Sequence, residues 1–355
     1  MGLVDGIIFE KFLPGIRIMR KRLRFYVAVA MGGGMLCFPS FLPAMEITPF
    51  YTQNQSPVIQ IFGLPSIGDP SVVPARKTDL RFIVDLANNF IQDEAPRESI
   101  ILDGQSTRLS LDGRYGISRN FEVGLVIPYL IEGGGFTDGF IDWYHNTFGF
   151  TQGGRENAPK NRLLYQYQKD QRVLLQVDQS SHGIGDIQLT GGYQLFQSAI
   201  EPSRALSLRT SLKLPTGDSQ QLHGSGSTDL SLWMTGGETF RPGIGPITLF
   251  GAGGVMGMTE GDVLEDQQRN WVGFAVLGAG WSPARWIAFK IQANGHTSFY
   301  KESELQELNR NSVQLTVGGT LAFSKNISLD LGVTEDLLDR ASPDVVFHLA
   351  LRGTF

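Results

Sequence analysis

The stretch D-V-V-F-H-L-A-L-R-G-T-F, residues 344–355, decides the fold. Taken in alternation, Val345, Phe347, Leu349, Leu351, Gly353 and Phe355 form one face, and Val346, His348, Ala350, Arg352 and Thr354 form the other. A strand with one apolar face, one polar or small face and an aromatic last residue suits the closing strand of a transmembrane β-barrel. One face meets lipid, the other a polar lumen, and every backbone amide finds a partner strand. Phe347, Leu349, Leu351 and Phe355 are also the expected signal to a barrel-assembly machinery.

Working outward, period-two alternation recurs from about residue 79. In 204–217, Leu206, Leu208, Leu212 and Leu214 share one parity and Ser207, Arg209, Ser211 and Lys213 the other. In 312–323, Val313, Leu315, Val317, Leu321 and Phe323 oppose Ser312, Gln314, Thr316 and Thr320. The same reading covers 79–90, 100–116, 121–132, 185–197, 228–240, 246–258, 270–281, 285–299 and 327–336, giving twelve strands with 344–355. The two glycine-rich members, 246–258 and 270–281, alternate weakly. Connections alternate in length. Those at 117–120, 198–203, 241–245, 282–284 and 324–326 are short; those at 91–99, 133–184, 217–227, 259–269, 300–311 and 337–343 are mostly longer. Tight turns at one end and long loops at the other are the habit of outer-membrane barrels. Aromatics gather near both strand ends, Tyr115, Phe121, Trp281, Trp286 and Phe323 by the short turns and Tyr129, Trp271, Phe299 and Tyr300 by the long loops. That pattern predicts interfacial girdles.

Composition agrees. The chain has 355 residues, 43 glycines and only 18% charged residues, with a mean hydropathy of −0.07. After the amino terminus no apolar run reaches the ~20 residues of a spanning helix. Arg20, Lys21, Arg22 and Arg24 precede an apolar stretch, 25–41, and Leu42-Pro43-Ala44 ends on a small residue, so 1–44 reads as a signal peptide with its true start at Met19. The single cysteine, Cys37, falls inside it, so cleavage leaves no thiol for disulfides or metal. It also leaves 24 basic and 33 acidic residues, a net charge of −9 that argues against nucleic acid. Residues 45–77 carry Pro57, Pro65, Pro70 and Pro74 without sustained alternation. They are either a periplasmic segment or an insert in the barrel mouth, ahead of a barrel at 78–355.

The inward parity collects Asp79, Arg81, Asp85, Arg108, Asp112, Arg114, Glu122, Asp186, Arg209, Lys213, Asp229, Lys290, Asp330 and Arg352. Interleaved charges of both signs suit a constriction that selects small solutes. They suit equally a salt-bridged lattice that closes the interior. A third arrangement is enzymatic: His296 and Ser298 share one face of a strand, and Glu304 or Glu302 is near enough to orient the imidazole. Their parity points into the lumen, away from lipid, and no G-x-S-x-G elbow occurs. Asp138, Asp142, Trp143 and His145 mark the longest loop as a binding loop or plug. The five histidines show no zinc spacing. Glu260, Asp262, Glu265 and Asp266 lack a calcium-loop pattern. No cofactor or metal is expected.

Several stretches carry a family likeness. They are Asn54-Gln55-Ser56-Pro57 with Phe62-Gly63-Leu64-Pro65, Leu102-Asp103-Gly104, Trp143-Tyr144-His145 with Phe148-Gly149, and Gly183-Ile184-Gly185-Asp186. Leu212-Lys213-Leu214-Pro215-Thr216-Gly217-Asp218, Gly224-Ser225-Gly226 with Asp229, Glu335-Asp336 and Ser342-Pro343-Asp344 extend it in order along the mature chain. In these the sequence resembles the domain of unknown function 3187 family of proteobacterial outer-membrane proteins. The resemblance implies an outer-membrane β-barrel in a Gram-negative cell and no activity, ligand or catalytic residue. The expectation is therefore an all-β barrel of about twelve strands that touches outer-membrane lipids and lipopolysaccharide. Its leading role is a narrow passive pore for small polar solutes. The alternatives are a closed-lumen structural or surface-binding barrel and a lipid hydrolase using the His-x-Ser pair.

Overall fold

Antiparallel pairing closes twelve strands into a barrel in the computed structural model, which describes residues 45–135, 159–337 and 341–355. The expected signal peptide and Asp138, Asp142, Trp143 and His145 lie outside those residues. The first three strands are β1 (Thr78–Ala95), β2 (Glu98–Gly116) and β3 (Phe121–Gly133). Three short strands follow, β4 (Leu164–Lys169), β5 (Arg172–Val177) and β6 (Ser181–Ile184). Then come β7 (Gln188–Ser198), β8 (Ser203–Lys213), β9 (Asp229–Phe240), β10 (Ile247–Met258) and β11 (Trp271–Ala284). The last are β12 (Ile287–His296), β13 (Ser312–Ala322), β14 (Ile327–Asp336) and β15 (Val345–Thr354). All twelve expected strands form, each from a run whose alternating parity lets it wet two different media. The seam joins β1 to β15 in continuous register, from Asp79 opposite Thr354 to Asn88 opposite Val345.

Side chains sort as the alternation requires. Leu80, Phe82, Leu111, Leu125, Leu189, Leu232, Leu249, Leu277, Leu349 and Leu351 are exposed on the outer surface. Their sequence neighbours Arg81, Asp112, Ser231, Thr248 and Ala350 are buried inside. An apolar exterior around a polar interior reverses the distribution of a water-soluble domain and suits a hydrocarbon surround.

The long-loop end differs from expectation in three ways. Residues 91–99 are not a long loop: β1 and β2 stay paired out to Ala95 opposite Glu98, leaving only Pro96 and Arg97 in the turn. With a rise of about 3.3 Å per residue, this hairpin is far longer than the apolar band of about 25 Å demands and projects beyond the rim. Within 133–184, β4 adds to the outer end of β2, from Glu98 opposite Lys169 to Asp103 opposite Leu164, and β5 folds back on it. Their turn residues Asp170 and Gln171 take φ of 49° and 64°, the primed hairpin geometry without its usual glycine. β6 continues the line of β7 along β3 across Pro128. Proline offers no N–H there, and the ladder is carried past it by Gly185 N–H donating to the Pro128 carbonyl at 2.8 Å. Third, Phe299 and Tyr300 are not girdle residues. They are fully buried in an apolar cap, whereas Tyr115, Phe121, Trp271, Trp281 and Phe323 are exposed as interface aromatics should be.

Candidate functional site

Residues 45–77 run through the lumen as an inverted U and are called the thread below. It starts near the short-turn end, where a Cβ on Gly280 would collide with Ile47. The ascending leg climbs the β12–β13 wall. Phe50 N–H donates to Gln292 Oε1 (2.9 Å), Asn294 Nδ2 to Thr52 Oγ1 (3.0 Å) and Asn54 Nδ2 to the Ala341 carbonyl (2.9 Å). A tight turn reverses the chain at the long-loop end, with Ile59 and Gln60 N–H both donating to the Ser56 carbonyl. Its apolar side chains Val58, Ile59, Ile61 and Phe62 pack with Tyr165, Tyr167, Met256, Phe299, Tyr300 and Leu305 into the cap. The descending leg then follows β9, β8 and β2: Gly63 N–H donates to Asp229, the Ile67 carbonyl accepts from Trp233 Nε1, and Ala75 bridges to Gly116 beside the start of β1.

The twelve residues expected to line a pore all sit on the inner side, eleven buried and Arg352 half-buried. The geometry gathers eleven of them into four ion-paired groups and leaves Arg108 outside them. Near the short-turn end Asp69 of the thread accepts from Arg81 (2.8 Å) and approaches Arg352 (3.2 Å), while Asp79 holds both arginines from the wall. Alongside, Glu122 pairs with Arg209 (2.5 Å) and Arg114 (3.7 Å), and Asp112 with Arg114 (3.1 Å). Higher up, Lys213 meets Asp186 (2.6 Å), Asp229 (3.3 Å) and the Ser225 hydroxyl. Across the lumen Lys290 pairs with Asp330 at 3.0 Å.

Every buried lysine and arginine among the described residues also touches the thread. Arg209 donates to the Asp69 and Ser71 carbonyls, Lys213 to Ile61, Lys290 to Thr48 and Arg108 to Gln60. Arg81 and Arg114 stand over the Tyr51 ring at 3.8 and 5.0 Å, and Lys290 over Phe50 at 4.0 Å. Carbonyl oxygens and ring faces supply partial negative charge without a formal one. A cavity of about 30 Å³ remains between the thread and Asp85, Arg108, Asp112 and Arg209, room for about one water.

The family model described as "Protein of unknown function (DUF3187)" matches residues 26–355. The chain belongs to that family. No curated protein matches it. Among solved structures, an outer membrane channel from Pseudomonas putida F1 superposes with a TM-score of 0.50 at 13% identity, covering 81% of this chain and 98% of that one. The KdgM porin gives 0.37 at 8% identity, with 79% and 99% covered. At such identities the first likeness supports the barrel fold alone.

In this DUF3187 barrel the His-x-Ser pair is placed as structure. His296 Nδ1 faces the Thr297 carbonyl (2.9 Å), which requires the proton on Nδ1, and Nε2 faces Asn54 Nδ2 (2.9 Å). The Asn54 amide is oriented by Ser56 N–H on its oxygen and the Ala341 carbonyl on its nitrogen, so Nε2 is the acceptor. That lone pair is spent on Asn54 and is not available to activate Ser298. Ser298 is buried and uses its N–H on Asn311, while Glu304 donates its N–H to Glu98. Among the described residues no group of three His, Cys, Asp or Glu is arranged to hold a metal. Outside the spanning strands, in 214–228, burial lowers the His223 pKa, keeping a neutral imidazole whose Nε2 shares a hydrogen bond with Ser181.

Three contributors escaped the inward-parity reading. Glu132 continues the parity of Glu122, and extending that alternation ten residues would have found it. His348, on the polar face of β15, meets Asp85 at 2.7 Å across the seam. Asp69 carries no periodic signal because the thread has none.

Proposed function

We propose that this chain is an outer-membrane channel for small polar solutes, held closed by its own thread, with the short turns in the periplasm and the long loops outside. Insertion would proceed through the barrel-assembly machinery recognising Phe347, Leu349, Leu351 and Phe355, and the apolar belt would contact membrane lipid and lipopolysaccharide. One observation carries the reading: the wall's buried cations all reach carbonyls or rings of the thread, whose one carboxylate among their partners is Asp69. Most keep a wall carboxylate as well. The ascending leg therefore behaves like a polar guest in a charged lumen, and its release exchanges hydrogen bonds to the wall for hydrogen bonds to water at small net cost. A barrel closed for strength alone is better served by apolar filling. The P. putida protein of similar fold is itself described as a channel.

A second reading, a permanently closed structural barrel, draws on the apolar cap around Phe62 and Tyr300. The two separate in planar bilayers. Full-length protein should give discrete steps interrupted by long closures, with conductance altered by Arg209→Gln. Thr52→Cys with Asn294→Cys, in a Cys37→Ser background, should silence it when oxidised and recover on reduction. Silence in both redox states, with the bond verified by mass, would assign the barrel to the structural role.

A further inference from the structure

Two neighbouring ionisable wall groups, Arg108 and Glu132, are buried without a direct ion pair among the described residues, the carboxylate opposite Arg108, Asp85, being turned to His348. Each of the other buried cations has a wall carboxylate: Asp79 for Arg81, Asp112 for Arg114, Glu122 for Arg209, Asp186 for Lys213 and Asp330 for Lys290. Arg108 has instead the Gln60 main-chain carbonyl at 3.0 Å, the Gln53 side-chain oxygen at 2.9 Å and the Ser110 hydroxyl at 3.3 Å. Glu132 is the complementary case, accepting from Ser106 Oγ (2.7 Å), Tyr165 Oη (3.1 Å) and Gln60 Nε2 (2.8 Å). In the β2–β3 register Arg108 lies opposite Leu130 and Ser106 opposite Glu132. The two charges are thus diagonal neighbours on one face, with Cα atoms about 7–8 Å apart.

Gln60 joins them. It turns its main-chain carbonyl toward the guanidinium and its side-chain NH₂ toward the carboxyl group, two neutral groups of one residue each answering the ionisable group it faces. A direct ion pair would offset the cost of desolvating these groups, and an apolar pair would avoid it. A wall that keeps opposite charges side by side and fills the space between them with a removable residue fits a guest carrying both signs. We propose that Arg108 and Glu132 form a recognition subsite for a small zwitterion of the α-amino acid type, occupied by Gln60 while the lumen is closed. The carboxylate of the guest takes the place of the Gln60 carbonyl on Arg108, and its ammonium that of the Gln60 amide on Glu132. Both exchanges replace a neutral acceptor or donor by a charged one, so that both partners of each hydrogen bond are ionised. Gln60 also belongs to the tight turn of the thread, so a guest that displaces it loosens the closed state. This rests on the gated-channel reading above.

The test is solute entry into liposomes containing the full-length protein, with L-serine as the zwitterion and erythritol as an uncharged solute of similar size. Serine should enter several-fold faster than erythritol. That ratio should fall to about one in Arg108→Gln and in Glu132→Gln, and should return in the double exchange Arg108→Glu with Glu132→Arg, which keeps both signs. Gln60→Ala, which leaves the wall intact, should raise serine entry. Erythritol entering as fast as serine in the wild type overturns the subsite and leaves the channel standing. Entry of neither solute overturns the channel and the subsite together.

Discussion

The two legs of the thread are held by different chemistry. The ascending leg is bound mainly by neutral amides and hydroxyls: Gln292 on both Phe50 backbone groups, Asn294 on Thr52, and Asn54 on His296 and Ala341. The descending leg is bound by ionised groups: Asp229 on Gly63 N–H, Glu122 on Val73 N–H, Arg209 on the Asp69 carbonyl, and Arg81 and Arg352 on the Asp69 carboxylate. Charge-assisted hydrogen bonds are about twice as strong as neutral ones, and the descending leg continues directly into β1. In the proposed channel one limb of the U is therefore the anchor and the other the detachable arm. Opening should begin on the β12–β13 side.

The comparison breaks most visibly at Asp69. Asp69→Ala leaves Arg81 and Arg352 without their thread carboxylate and should cost about 3 kcal/mol, the low end for breaking a buried pair because Asp79 remains. Urea unfolding followed by tryptophan fluorescence reads this, and an unchanged midpoint would remove the anchor from the descending leg. Asn54→Ala deletes hydrogen bonds to Ala341, His296 and Ser56 and should cost about 1–3 kcal/mol. Its distinctive outcome is kinetic: more frequent openings in bilayers, where Asp69→Ala gives an unstable barrel instead. If Asn54→Ala leaves gating untouched, the ascending leg is not the arm. Gly68 sharpens the contrast, since it has φ +72° and a Cβ there would lie 2.8 Å from Arg114 Nη1 and 3.0 Å from Arg209. Gly68→Ala should cost about 1–2 kcal/mol from the left-handed backbone alone, more if the two guanidiniums cannot shift. The smallest effect belongs to Arg97→Ala, which breaks the exposed pair with Asp170 at the projecting hairpin and touches neither leg. Its unfolding midpoint and gating should match the parent.

What the sequence displays and what it conceals follow from periodicity. The barrel strands must alternate because each separates two media, so β8 and β13 are legible from Leu206 to Lys213 and from Val313 to Thr320 without any structure. The charged inner parity is legible for the same reason. The thread is not. Phe50, Val58, Ile61 and Phe62 are buried on all sides by partners far away in sequence, so no period of two or 3.6 is imposed on them. The site inherits that opacity: Asn54 meets His296 across 242 positions, and Gln60 meets Glu132 across 72. His296 and Ser298 look catalytic in isolation because the residue that engages the imidazole is invisible locally. The β4–β5 hairpin was hidden by turn chemistry, Asp170 and Gln171 adopting positive φ where glycine or asparagine would have announced the turn. The reach of β1 and β2 to Ala95 and Glu98 was hidden because beyond the rim no lipid enforces alternation.

Both ends of the U emerge at the same rim, near Ile47 and at Ala75, with the bend at the opposite mouth. Tension applied at residue 46 from the short-turn side pulls along the ascending leg alone, whose contacts at Thr48, Phe50, Thr52 and Asn54 lie across the direction of pull. A push on the bend from the other side loads them together with the charged limb. A pull from the short-turn side thus works against one limb and a push from the long-loop side against both, giving the closure a mechanical direction that its static energy does not have.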